Sequence, residues 1–256
     1  MQYYPVSEAR SMPGLRLVLS AGVPGPWGEA AKAVFGFRNV DYVPVEQAPM
    51  QPNKELLEWT GHRNAPIAVL DDEPPVTGWL DMIDLAERLG SGPSLLPADE
   101  RRRVECLGFL TEIAGRDGLG WHRRILMCAP MLDAPADPDN PGLADVLCGY
   151  GVTEEALAQS NARIVAILRE LAAQLERQKQ AGSQWLVGNA PSALDLFWAC
   201  FSMMLDPLSQ DRNPMPDWLR GMYASLPDDI AAALDPALIA HRDRVYEEVI
   251  GLPLEY

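Results

Sequence analysis

The sequence predicts an α/β domain over residues 1–90 followed by an all-α domain over residues 93–256. Three observations predict it. Every strand-like run ends before Gly90, the turn-rich linker Ser91-Gly92-Pro93-Ser94-Leu95-Leu96-Pro97 comes next, and helical periodicity alone continues beyond it. A chain of 256 residues is long enough for one large core or two ordinary domains.

The elements follow in order. Leu15-Arg16-Leu17-Val18-Leu19-Ser20 is nearly all apolar, as a central strand buried on both faces requires. Ala21 to Pro26 then breaks it, because two glycines and two prolines cannot continue a ladder. From Trp27 or Gly28, Glu29-Ala30-Ala31-Lys32-Ala33-Val34-Phe35 is rich in helix formers and carries acid in its first turn. Val40-Asp41-Tyr42-Val43-Pro44-Val45 alternates like a strand, and Pro44 puts it at a sheet edge. Residues 53–60 suit a short helix. Ile67-Ala68-Val69-Leu70 is a third strand, a fourth is expected after it, and Thr77-Gly78 opens the helical run Trp79 to Leu89.

Beyond the linker the apolar stripes are Val104, Leu107 and Leu110, then Ile164, Leu168, Leu171 and Leu175 at spacings of 4, 3 and 4. Gly115, Gly118 and Gly120 predict a break before Trp121, and residues 133–142, with three prolines and three aspartates, read as a surface loop. Leu186-Val187-Gly188-Asn189-Ala190-Pro191-Ser192-Ala193-Leu194-Asp195 contains a reciprocal cap in which Ser192 and Asp195 serve each other's backbone N–H.

Composition narrows the function classes. Hydrophobic residues make up 48% and charged ones 22%, which describes a folded chain. The formal charge of -15 repels phosphate backbones, so no nucleic-acid partner is expected. The first eight residues lack the basic start and apolar run of a secretory signal, and no stretch nears the ~20 apolar residues of a membrane span. A cytoplasmic location and no membrane partner follow as expectations. Cys106, Cys128, Cys148 and Cys200 are widely spaced, without the pairing or nearby histidines of a zinc site, and read as buried free thiols.

Pro66 in Asn64-Ala65-Pro66-Ile67-Ala68-Val69-Leu70, the helix start at Thr77-Gly78 and the Ser192-x-x-Asp195 cap together resemble glutathione S-transferases, across almost the whole chain except the residues before Leu15. The resemblance implies a thioredoxin-like α/β domain plus an all-helical one, with glutathione as co-substrate, a small electrophile as second substrate and a homodimer as the assembly. It implies a cis bond before Pro66, with Ala65 pairing its backbone with the cysteinyl part of glutathione and Arg63 and Asn64 beside it; an ordinary trans proline is the alternative. The family's Glu or Gln followed by Ser is replaced here by Thr77 and Gly78. These either take the glutamyl carboxylate on helix N–H groups or merely cap the helix.

A free thiol with pKa about 8.5 is mostly protonated at neutral pH, so the family supplies a Ser, Cys or Tyr side chain to favour the thiolate. That place falls at Gly28, which has none to offer. Backbone N–H groups and the dipole at the helix start remain, together with the indole N–H of Trp27, unless Trp27 only packs; Glu29 opposes a thiolate there. None of the four cysteines lies at this helix start, which disfavours exchange through the protein's own thiol. Base must gather where a dicarboxylate binds. His62-Arg63 and Trp121-His122-Arg123-Arg124 are the two clusters, and the second matches a place where bacterial members contact ligand, with Trp121, His122 and Arg124 as candidates for a substrate pocket. Solvation or salt bridges explain any single arginine equally well. His241 reads as an exposed or satisfied helix residue. The activity so implied is thiol addition or displacement at an electrophilic carbon. The alternative is a glutathione- or ligand-binding or interaction module of the same fold without catalysis.

Overall fold

The structure is a computed structural model that describes residues 1–131, 147 and 149–256. A mixed sheet of three strands has the order β2-β1-β3. β1 (Leu15–Ser20) is central, pairing in parallel with β2 (Val43–Gln47) and antiparallel with β3 (Ile67–Leu70). Alternate residues of β1 part to opposite faces, as strand geometry demands. Leu15, Leu17 and Leu19 join the main core, whereas Val18 packs with Val45, Leu56, Ile67 and Val69 on the other face. The expected fourth strand shrinks to a single bridge between Ala68 and Val76. Pro74 and Pro75 precede that bridge and have no N–H to extend a ladder. Ahead of β1 lies a short α1 (Val6–Ala9) that the sequence pattern did not mark, and Tyr4 bridges the outer edge of β2.

Helices α2 (Pro26–Phe37) and α4 (Trp79–Leu89) cover one face of the sheet, and α3 (Lys54–Thr60) crosses between β2 and β3. The helical part begins with α5 (Glu100–Ala114) and α6 (Leu119–Cys128), separated where the glycines predict a break. It continues with α7 (Glu154–Gln180), α8 (Ala193–Ser202), α9 (Asp217–Ala224), α10 (Asp228–Ala233) and α11 (Pro236–Val245), and closes on a π-helical turn, Tyr246–Ile250. No described helix is long and apolar enough to cross a membrane. The α7 stripe of Ile164, Leu168, Leu171 and Leu175 is buried as expected, but Val104 of α5 is 69% exposed. Cys106, Leu110 and Ile113 form the buried stripe instead, and two residues of helix turn put Val104 on the opposite side from Cys106.

Every residue of α8 is buried. α2 packs against it, and one apolar cluster runs from Leu17 and Phe35 to Trp198 and Phe201, so the sheet and the bundle share a core. The Ser192–Asp195 cap forms. The Asp195 carboxylate accepts from the Ser192 N–H (2.9 Å) and the Leu186 N–H (2.9 Å) and meets His241 Nε2 at 2.9 Å. His241 is therefore not exposed but a fully enclosed partner of this cap. Cys106, Cys128 and Cys200 are buried free thiols whose pKa values burial pushes up, Cys106 to about 11. Cys148 and the predicted loop at 133–142 lie outside the described residues.

Candidate functional site

The site is built on the first turn of α2. Gly25 is the cap residue and contributes no side chain, Pro26 occupies the first helical position without an N–H, and the first helical bond runs from the Glu29 N–H to the Gly25 carbonyl at 2.9 Å. The Trp27 and Gly28 amides precede that bond. They are the orphan donors of a helix start and carry its positive end. Trp27 and Gly28 border a cavity of about 100 Å³ shared with Ser20, Glu29, Gln47, Asn64, Ala65, Arg124 and Tyr150. The Ala65–Pro66 bond is cis. The β1–β3 ladder ends at Val18 and Ile67, so Ala65 stands just past it, beside the cavity.

Trp27 is fixed by its neighbours. Its indole N–H donates to the Ala114 carbonyl at 3.4 Å, and its ring meets Phe201 and Trp121 edge-on at 4.8 and 5.6 Å. This fit requires Gly120, since a Cβ there would lie 2.4 Å from the Phe201 ring and 3.1 Å from that of Trp27. The packing reading of the Trp27 side chain is the one the geometry matches. Over the same ring sits the Arg124 guanidinium at 4.0 Å, with Tyr150 at 4.6 Å and Trp121 at 4.8 Å closing a three-sided aromatic box. The box removes much of the guanidinium's water, which pushes the Arg124 pKa down, and no described carboxylate is within ion-pair distance of it.

The other members of the basic cluster are committed elsewhere. Arg123 donates to the carbonyls of Met204, Met222, Tyr223 and Ser225, tying α6 to α9, and burial pushes its pKa down to about 10. His122 is held between Ser160 Oγ (3.0 Å) and Asp117 Oδ1 (2.9 Å). The hydrogen bond from His122 and the charge of Arg163 keep the Asp117 carboxyl below its ordinary range. His122 and Trp121 also border a second hollow of about 330 Å³, which Tyr150 lines as well. Glu29, which the sequence sets against an anion, is buried and paired with Lys32 at 2.9 Å. Burial raises its pKa and Lys32 opposes that rise.

The fold thus gathers Trp27, Gly28, Asn64, Ala65 and Arg124 around one cavity and leaves Arg63, Thr77 and Gly78 outside its lining. Arg63 turns its side chain to solvent and contributes only its carbonyl, which accepts from Gln47 and Asn53. At Gly78 a Cβ would fall 2.2 Å from Asp81 Oδ2, so the start of α4 already holds a carboxylate of its own. Sequence reasoning missed Ser20 and Gln47, which sit opposite one another at the ends of β1 and β2 and hydrogen-bond at 2.8 Å. The parallel register was the signal, since it brings both strand ends to the helix start.

No protein-family model matches the sequence, and no curated protein does either. Solved structures do match. Beta-etherase LigF from Sphingobium sp. strain SYK-6 is 17% identical with a TM-score of 0.61, covering 91% of this chain and 94% of that one. A glutathione S-transferase from Methylobacterium radiotolerans JCM 2831, in complex with glutathione sulfonate, is 16% identical with a TM-score of 0.58 over 91% of each chain. Another, from Methylobacillus flagellatus KT with glutathione bound, is 13% identical with a TM-score of 0.56, covering 89% of this chain and 98% of that one.

Proposed function

We propose that this chain, which has the glutathione S-transferase fold, is a glutathione-dependent transferase acting on a small electrophile. The observation that carries the reading is the uncapped start of α2, whose Trp27 and Gly28 line the same cavity as Asn64 and Ala65. A cavity of about 100 Å³ suits the cysteinyl end of glutathione, while the rest of the tripeptide follows the open surface past Asn64. Ala65, beyond the end of its ladder, offers backbone groups to that cysteinyl unit in the manner of an added strand. The Trp27 and Gly28 amides and the helix dipole favour the thiolate. In the reaction the thiol releases its proton to solvent, sulfur forms a bond to the electrophilic carbon, and the leaving group departs with its electron pair.

Fold alone does not establish that chemistry. The occupied Trp27 N–H and the missing side chain at Gly28 favour a second reading, a glutathione-binding module without turnover. Calorimetric titration with glutathione, followed by turnover of a chloronitrobenzene, separates them. Binding with turnover is the expected result, binding without turnover supports the module, and no binding rejects both. A homodimer is part of the proposal, and light scattering reads it.

A further inference from the structure

We propose that Arg124 is the counter-cation of the glutathione thiolate, supplied by α6 across the cleft in place of the hydroxyl that Gly28 lacks. The inference rests on the glutathione reading above and deepens it. Three observations lead to it. Arg124 lines the same cavity as Trp27, Gly28 and Ala65, so the cation, the helix end and the strand edge border one small volume. Its guanidinium is held by ring faces at 4.0, 4.6 and 4.8 Å, and ring faces attract a cation without taking its N–H donors. Among the described residues, no oxygen accepts from it and no carboxylate pairs with it, in contrast to Arg123 on the same helix, whose Nε and Nη2 donate to four carbonyls.

A half-buried cation whose donors no described oxygen fills attracts an anion more strongly than one in open water. The cavity it borders has room for a sulfur, and a planar guanidinium presents several N–H groups to it. Glu29 borders the same cavity and opposes a thiolate there, and its pairing with Lys32 at 2.9 Å reduces that opposition. The role assigned is stabilisation of charge: the S–H bond breaks, the proton goes to solvent, and Arg124 with the two amides holds the resulting thiolate until it attacks.

The test compares the full-length protein with Arg124→Met and Arg124→Lys. The ultraviolet absorbance of the bound thiolate is followed against pH, and S-methylglutathione, whose sulfur cannot ionise, reports binding independent of charge. In Arg124→Met the thiolate midpoint is expected to rise by about one unit or more, the usual effect of removing an adjacent opposite charge. Affinity for S-methylglutathione should stay within about threefold, or ~0.7 kcal/mol. Arg124→Lys keeps the charge and should move the midpoint less, and Arg124→Gln, which removes the charge as Met does, carries the test should the Met variant not fold. An unmoved midpoint in a charge-removing variant that still binds glutathione overturns the proposal. So does an equal loss of affinity for both ligands, which would make Arg124 a wall of the cleft. Failure of the unaltered protein to bind glutathione rejects the functional reading itself, a result that cannot be confused with the other two.

Discussion

At the scale of single residues, the proposed site turns on position 28, which lines the cavity from the first turn of α2 and has no side chain. Space for one exists. A Cβ at Gly28 meets only Leu19 Cδ2 at 3.4 Å, an ordinary contact, and its backbone is helical, where L-residues are at home. Gly28→Ser should therefore fold with stability changed by no more than about 0.5 kcal/mol, since serine is the better helix former of the two. If sulfur binds where proposed, the new hydroxyl donates to it and raises kcat/KM at neutral pH roughly tenfold, the worth of one hydrogen bond to a charged acceptor. Steady-state kinetics with glutathione at fixed electrophile measures the change. A variant that folds and shows no gain would put the sulfur elsewhere than beside position 28.

At the scale of elements, the site depends on how closely α6 approaches α2 and α8, and Gly120 sets that distance. A methyl at position 120 must displace the Phe201 ring, which is completely buried, and then Trp27 behind it. Gly120→Ala should therefore destabilise by about 1–3 kcal/mol, as overpacking of a filled core does, despite alanine's higher helix propensity. Urea unfolding reads the loss, and an unchanged or raised midpoint would show that the three elements have slack. The same contact explains what the sequence could and could not reveal. Local signals were legible: the central strand from its unbroken apolar run, the edge strand from Pro44, the α5–α6 break from its glycines, and the Ser192–Asp195 cap from its spacing. Whatever depends on distant segments meeting was hidden. The aromatic box joins Trp27, Trp121, Arg124 and Tyr150 from separate parts of the chain, and no local pattern relates a tryptophan in the first turn of one helix to an arginine in the middle of another. Gly120 read as a helix breaker and proved to be a point of close approach. Val104 was misplaced because three apolar residues at helical spacing define a stripe but not which side of the helix the bundle covers.

At the scale of the whole molecule, Glu29 is the point on which both ends of the chain converge. Burial raises the pKa values of Tyr3, Tyr42, Tyr223, Tyr246 and Tyr256, and the charge of Glu29 adds to the rise in all five. They come from the N-terminal segment, the approach to β2, α9, the π-helical turn and the last residue, so the same environment spans the sheet and the bundle. The consequence is a sharp alkaline limit. An unfolded tyrosine loses its proton near pH 10, whereas in the fold Tyr3 and Tyr256 hold theirs to about 12 and the other three are raised as well. Between those values the native state binds more protons than the unfolded state, so stability is complete below pH 10 and falls as pH rises through the folded values. The formal charge of -15 works in the same direction, since each phenolate formed adds to the repulsion within an already anionic chain. An alkaline titration followed by tyrosinate absorbance and far-ultraviolet circular dichroism should show these five phenols ionising together with the loss of helix. Glu29→Gln should shift that joint transition to lower pH for ionisation of the folded form, because it removes the charge that all five share. Phenols that ionise smoothly near pH 10 while the helices persist would mean that the two halves of the molecule are not closed around Glu29 as described.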